Sequence, residues 1–288
     1  MLSSFFYKLG AYWAVRLPRR LCEWITCFLA DLYHLFQFNR RRIVGENLRL
    51  IHENRLTRRE RRRSVRRVFR HFARSILFFL QLPRMDLEEF RRARGNEDFK
   101  RLAEELGRTG GFVIVTAHLG PWEMGGVWLA VSGLKVNTVA LNHPAGAVTA
   151  FFNQRRELSG LAIHPPRGSF DALAAALDKR ECVALLVDRD YGAASRDCEW
   201  FGVSRPMPIG HLLLAHRCRV PLLTGAFVFD PGGGFRYVVK NMYRPEPELE
   251  EEAMIGRLQR KVLSDLEDLV RTYSDQWFQF FPLSRKGK

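Results

Sequence analysis

This 288-residue chain lacks several things that would place it quickly. It has no uninterrupted apolar run of about 20 residues, the length needed for a membrane-spanning helix. Its most apolar N-terminal stretch is broken by Arg16, Arg19, Arg20, Glu23 and Asp31. The five cysteines (Cys22, Cys27, Cys182, Cys198 and Cys218) are odd in number and form no CxxC pair or metal-ligand spacing. That spacing offers no metal-ligand cluster, and a reduced, cytosol-facing compartment fits best. No early basic region leads into an apolar core and cleavage site, so no signal peptide is expected. There is no P-loop, no GxSxG elbow and no HExxH pair, and therefore no signature of P-loop phosphoryl transfer, serine-hydrolase chemistry or a zinc protease. Internal repeats and low-complexity linkers are also missing.

What the chain does have is positive charge, unevenly spread. The formal net charge is +15, and residues 1–90 hold 19 Lys/Arg against 8 Asp/Glu, leaving +11 in the first third. Such asymmetry calls for an anionic partner. Trp13, Trp24, Phe28, Leu32, Phe36 and Phe38 lie among these basic residues, a mixture expected of helices lying on a bilayer. The alternative is that they cap the core of the main domain. Leu17-Pro18 breaks a first helix, Leu21–Phe38 forms a second, and a further helical segment runs to about Ile51. Thr57 and Glu60 form a capping box that opens a long helix ending near Pro83. Its apolar face is Val65, Val68, Phe69, Phe72, Ala73, Ile76, Leu77 and Leu80, at a 3.6-residue period. The arginines from Arg58 to Arg70 come with no base-stacking platform or nucleic-acid motif, so a lipid surface or an acidic carrier is preferred over a solvated face, and nucleic acid is not expected.

Two regions follow: a helical, membrane-associating segment over 1–90 and an α/β domain over 91–288. In the second, strands are predicted at Phe112–Thr116, Val136–Leu141, Leu161–His164, Cys182–Val187 and Leu222–Phe229, with a hairpin partner at Arg236–Lys240. Helices are predicted at Pro121–Val131, from a Thr149 cap to Leu158, at Phe170–Lys179 after a Ser169 cap, at Gly210–Cys218, and at about Glu250–Tyr273. Strands alternating with helices give an α/β class with a largely parallel sheet flanked by helices.

The stretch Gly111–Gly126, GFVIVTAHLGPWEMGG, carries the first chemistry. His118 stands in the loop where a buried strand meets a helix, with Gly120 as a cap, Pro121 in the first helical turn and Glu123 five residues beyond the histidine. Ligands bind at that edge of an open α/β sheet. A histidine there removes a proton at neutral pH if a carboxylate supports its charged form. Taken alone, His118 and Glu123 also fit a structural histidine and a dipole-favoured glutamate. The second constellation is Asp188-Arg189-Asp190, after the strand Cys182–Val187, followed by a loop from Tyr191 to Gly210 that holds Glu199 and Arg205. Strand ends of a parallel sheet face the same way, so this polar loop is expected to meet His118. No covalent nucleophile is evident; direct attack by a substrate hydroxyl activated by His118 is the simplest remaining chemistry.

HLGPWE matches an H-x4-D/E signature, and the chain resembles the bacterial lipid A biosynthesis acyltransferases (lauroyl/myristoyl type) and the related phosphatidylinositol mannoside acyltransferases, within the glycerolipid acyltransferase superfamily. The blocks RRRIVGENL, NQRRELSG, LLVDRDYG, EWFGVSRPMPIG and SDQWFQFF carry the resemblance over nearly the whole chain. It implies transfer of a fatty acyl chain from acyl carrier protein or coenzyme A to a hydroxyl of a glycolipid or phospholipid, at the cytoplasmic face of the bacterial inner membrane, with no cofactor and no metal. His118 takes the general-base position and Glu123 that of the supporting carboxylate. In the mannoside branch the partner is a Glu shortly before FFG, and Glu199 fills that place, so both glutamates stay open. Arg156 and Arg189 match basic positions that hold phosphate or carrier groups; Asp188, Asp190 and Arg205 join them on the substrate side. N–H groups near Gly120–Trp122 are the expected oxyanion donors. WFG stands where the mannoside branch has FFG, and the tail lacks that branch's Pro-Glu before the tryptophan, so the acceptor stays open. A non-catalytic lipid-binding protein of the same fold is the alternative.

Overall fold

The computed structural model describes residues 2–91, 97–141, 146–190, 194–231, 234–246 and 248–284. Four helices open the chain: α1 (Leu2–Arg16), α2 (Arg19–Phe36), α3 (Phe38–Ile51) and α4 (Arg58–Gln81). Pro18 cannot continue α1 and caps α2 instead. The predicted capping box starts α4: the Glu60 N–H donates to Thr57 Oγ1 at 3.2 Å, and the Thr57 N–H donates to the Glu60 carboxylate at 2.8 Å. The apolar stripe of α4 turns inward, with Val65, Val68, Phe69, Leu77 and Leu80 buried.

After the short helices α5 (Leu87–Arg91) and α6 (Glu97–Thr109), strands and helices alternate. They run β1 (Phe112–Thr116), α7 (Trp122–Val131), β2 (Val136–Val139), α8 (Gly146–Leu158), β3 (Leu161–His164), α9 (Phe170–Asp178) and β4 (Cys182–Leu186). Then come β5 (Ser195–Trp200), β6 (Val203–Pro208), α10 (Gly210–Cys218), β7 (Leu222–Phe229), β8 (Phe235–Tyr243) and α11 (Glu251–Thr272). The six-stranded sheet has the order β3-β2-β4-β1-β7-β8. Its first five strands are parallel, and β8 returns antiparallel beside β7. All eight residues of β7 are buried, as a strand covered on both faces requires. One core joins Val44, Leu48, Val68 and Phe69 of the opening helices to the sheet and to α9, α10 and α11. The other joins Phe78 and Phe79 of α4 to α6, α7 and the opposite sheet face.

Three local expectations change. Pro121 is the N-cap of α7 rather than a first-turn residue, and Gly120 precedes it at φ +62°. A side chain is excluded at Gly120, because a Cβ would lie 2.2 Å from the Phe227 carbonyl oxygen. Helix α8 begins at Gly146, so Thr149 lies inside it and is no cap; residues 142–145 lie outside those described. The stretch read as a loop from Tyr191 to Gly210 contains a hairpin, β5–β6, turned by Phe201 (φ +50°) and Gly202 (φ +73°). Positive φ at both central residues is a type I′ turn, the geometry that matches strand twist. Tyr191 and the glycines Gly232 and Gly233 of the β7–β8 turn lie outside the described residues.

Candidate active site

Strand pairing decides what meets His118. Thr116 of β1 is in register with Leu186 of β4, so the residues two positions on, His118 and Asp188, leave the sheet side by side. His118 Nδ1 and Asp188 Oδ1 are 2.7 Å apart. The other carboxylate oxygen accepts the Trp277 indole N–H at 3.0 Å. Asp188 has no solvent exposure, while the His118 side chain keeps 14%. Burial alone would raise the carboxyl pKa of Asp188. The neighbouring imidazole, Arg189 and the indole N–H more than offset it and hold the group well below the usual carboxylate range. An ionised Asp188 can only accept, so the proton of the neutral imidazole sits on Nδ1 and Nε2 is left as a base.

The chain's C-terminal block fixes this pair. The Gly120 N–H donates to the Gln276 carbonyl at 2.8 Å, and the Phe278 N–H donates to the His118 carbonyl at 2.9 Å. The Gln276 side chain in turn clamps the Phe229 N–H and carbonyl at 2.9 and 3.1 Å. Trp122 packs edge-on to the imidazole at 5.2 Å between ring centroids and leans on Phe278.

Glu123 is engaged elsewhere. It forms a two-pronged ion pair with Arg156 of α8, one arm at 2.9 Å, and both side chains are largely buried. Arg156 also donates to Asn153 at 2.8 Å. Burial would lower the Arg156 pKa, but the Glu123 charge and hydrogen bonds raise it above the ordinary value. The expectation that Glu123 holds the histidine is therefore corrected: a fork-to-fork guanidinium contact has taken both of its oxygens. Glu199 is also not the partner. It is exposed on β5 and lines a separate groove with Arg196, Gln259 and Arg271, and His118 is not among the residues of that groove.

The other expected residues divide. Arg189 donates to the Phe278 carbonyl at 2.6 Å and, with Asp190, lines a second cavity of about 340 Å³ rather than the one that holds His118. Arg205 sits on β6 opposite Cys198 and is not among the residues lining the His118 cavity. The Gly120 N–H is used by Gln276, and the Trp122 N–H donates to the Gly120 carbonyl at 2.9 Å. Neither is therefore free to receive an oxyanion in this conformation, contrary to the sequence expectation. Reasoning from sequence missed Trp277 as the second donor to Asp188 and Gln276 as the clamp. The signal was the DRD at a strand end together with the aromatic tail, two blocks 89 residues apart in their contact.

His118, Trp122, Glu123 and Arg156 form the polar end of a cavity of about 290 Å³. Its remainder is largely apolar, walled by residues such as Ile114, Leu129, Leu161, Leu223 and Phe227. Tyr237 closes it from β8 with its hydroxyl tied to the Gly125 carbonyl. A carboxylate-held imidazole therefore lines a largely apolar cavity at the carboxyl edge of the parallel sheet of an α/β protein. The chain belongs to the bacterial lipid A biosynthesis acyltransferase family, which it matches over residues 2–286. It is similar to the phosphatidylinositol mannoside acyltransferase of Mycolicibacterium smegmatis, 28% identical over 207 residues, covering 70% of this chain and 66% of that protein. The protein of the same description from Mycobacterium tuberculosis strain H37Rv is 29% identical over 131 residues, covering 44% and 42% of the two chains. The chain thus matches just under two thirds of the length of the first relative and less than half of the second.

Proposed function

We propose that this protein is a membrane-associated O-acyltransferase that moves a fatty acyl chain from an acyl thioester to a hydroxyl of a membrane glycolipid or phospholipid. The observation that carries this is the His118–Asp188 pair at the polar end of the apolar cavity. The acceptor O–H gives its proton to Nε2 as its oxygen bonds to the thioester carbonyl carbon. The tetrahedral oxyanion then collapses, the C–S bond breaks, and the leaving sulfur takes the proton back from the imidazolium. Asp188 orients the ring and supports its charge during that interval. The donor's hydrocarbon chain fills the cavity beyond Trp122, while the Glu123–Arg156 pair shapes its polar rim. Oxyanion donors come from α7 beyond Trp122, where first-turn N–H groups have no partner within the helix.

The relatives' names point to a mannosylated phosphatidylinositol as acceptor and the family's name to lipid A; both present sugar hydroxyls on an anionic lipid. The donor is acyl carrier protein or an acyl-CoA, each anionic and drawn to a chain of net charge +15. No helix among the described residues is long and apolar enough to cross a membrane. Instead α2 exposes Trp24 (66%), Phe28, Leu32, Leu35 and Phe36 (70%) at helical spacing. That stripe would seat the protein as a peripheral guest on the cytoplasmic face of the inner membrane.

His118→Ala is expected to lower acyl transfer from palmitoyl-CoA or an acyl carrier protein to a purified phosphatidylinositol mannoside or lipid A precursor by about 10²–10⁴-fold, with the fold retained by circular dichroism and the thermal midpoint lowered, because Asp188 loses a buried partner. Product mass spectrometry reads the result. Full activity in the variant would overturn the assignment of the base. Absence of turnover by the wild-type protein on either acceptor, with vesicle binding intact in both proteins, would favour a lipid-binding protein of the same fold.

A further inference from the structure

A second anion-seeking feature lies outside the acyl-transfer cavity, between α3 and the start of α4. A cleft of about 570 Å³ is lined there by Arg41, Arg42 and Arg49 of α3 and by Arg61 and Arg62 of α4, with Glu46 as its sole carboxylate. Glu46 lies 3.9 Å from Arg42 and can compensate only one cation. Among the described residues no carboxylate stands within ion-pair distance of Arg41, Arg49, Arg61 or Arg62, although Arg41 and Arg61 are half-buried.

The same helix shows the contrast. One turn further along α4, Arg66 and Arg70 both grip Asp31 of α2, with Nε–carboxylate distances of 2.7 and 2.8 Å, and this network holds the Asp31 carboxyl well below its usual range. Among the described residues, a counter-anion stands beside those two arginines and none beside the four in the cleft. A half-buried guanidinium left without an anion is unfavourable, and its planar fork fits two oxygens of a phosphate better than it fits water.

The rim of the cleft identifies the source of that phosphate. Phe38 (66% exposed) lines it, its ring 4.8 Å from the Arg41 guanidinium, and Leu35 and Phe36 are exposed immediately before it. A phosphate next to hydrocarbon is the junction between the headgroup and the acyl chains of a phospholipid. We infer that the α3–α4 cleft binds the headgroup phosphate of an anionic phospholipid and so seats the protein on the bilayer at a defined site separate from the acyl-transfer cavity. The inference rests on the membrane attachment proposed above and needs no turnover.

The test uses the full chain and phosphatidylcholine vesicles carrying a minor fraction of either phosphatidic acid or phosphatidylserine, matched for surface charge. The cleft variant is Arg41→Gln, Arg49→Gln and Arg61→Gln together; the control is Arg58→Gln, Arg59→Gln and Arg63→Gln, which removes the same charge from α4 outside the cleft. Circular dichroism and the thermal midpoint establish that both fold, and the single variant Arg61→Gln stands in if the triple does not. The wild-type protein is expected to prefer phosphatidic acid in sedimentation. The cleft variant should lose that preference and bind about tenfold more weakly, the scale of one to two lost charge-assisted hydrogen bonds; the control should keep the preference. Equal losses in the two triples would mean diffuse attraction and would overturn the site. Inorganic phosphate binding as tightly as the vesicles would replace the lipid with a soluble anion. Duplex RNA that loses affinity in the cleft variant while vesicle binding stands would transfer the cleft to nucleic acid. Wild-type protein that binds no vesicle would sink the attachment itself.

Discussion

Two cavities share one wall at the carboxyl edge of the sheet, formed by Val139, Pro166, Leu185 and Leu186, and each contains a histidine. On one side His118 leans on the ionised Asp188 and keeps some access to solvent. On the other, His211 is buried with no partner for either ring nitrogen among the described residues, and burial pushes its pKa down to about 3. The two imidazoles differ in burial and in the carboxylate: His118 keeps 14% exposure beside Asp188, and His211 is buried with neither solvent nor an anion. A ring with a buried anion behind it can take up a proton and hold it for the length of a reaction. A ring with none is kept neutral and serves as a wall. The presence of a histidine in a cavity therefore says little about catalysis until its partner is known.

The sharpest way to break this contrast is to remove the charge and keep the shape. Asp188→Asn leaves an acceptor for the Trp277 N–H but no anion to support an imidazolium. It should bring His118 toward the condition of His211 and lower acyl transfer by about 10²–10⁴-fold. Folding should weaken as well, by about 1–3 kcal/mol, because the amide satisfies one of its two buried neighbours less well. Steady-state rates and urea unfolding read the two effects separately. Wild-type rates in this variant would mean that the carboxylate does not serve the histidine.

The second histidine gives a smaller and purely thermodynamic signal. The folded-state pKa of His211 lies below its unfolded value of about 6.5, so the unfolded chain binds the proton more readily. Its contribution to stability is complete above that unfolded pKa. It is lost as pH falls from about 6.5 toward 3, at up to about 1.4 kcal/mol per pH unit. Asp188 adds to acid sensitivity only lower down: its folded pKa is depressed, so its contribution is complete above about 4 and lost below. Between pH 6 and 4.5, then, His211→Leu should flatten the slope of unfolding free energy against pH, and Asp188→Asn should not. Urea titrations across that range test it; parallel slopes for wild type and His211→Leu would show that the ring is not held neutral.

How much of this was legible beforehand follows the range of the interactions. Phe112–Thr116, Leu161–His164 and Leu222–Phe229 have the bounds that the sequence pattern predicts, because a short β-branched or apolar run between turn residues speaks locally. The Thr57–Glu60 box and the stripe of α4 were equally plain, since helix signals repeat within a few residues. The β5–β6 hairpin gives no sequence signal because β5 is polar and mostly exposed, β6 carries Pro206 and Pro208, and the turn is Phe201-Gly202 rather than an Asn-Gly pair. His118 was found from its position after a buried strand, but its partner was not, since choosing among Glu123, Asp188 and Glu199 requires the β1–β4 register and the tail that Trp277 brings across. Glu123 and Glu199 both stand open in the sequence; the Arg156 fork, reached from another helix, takes Glu123, and Asp188 is the partner in place of either.

The smallest expected effect bears directly on that choice. Glu199, one of the two glutamates that the family resemblance offers as a partner to the histidine, is an exposed strand residue opposite Ser204, in a groove that His118 does not line. An exposed carboxylate in such a setting contributes about 0–1 kcal/mol through surface pairs. Glu199→Gln should therefore leave acyl transfer within about twofold of wild type, a barrier change below ~0.5 kcal/mol, and its pH profile should superimpose on that of the unmodified protein. A loss approaching that of Asp188→Asn would show that the hairpin swings inward when substrate binds and carries Glu199 to the imidazole. In that case the comparison between a partnered and an unpartnered ring would have to be redrawn around two carboxylates instead of one.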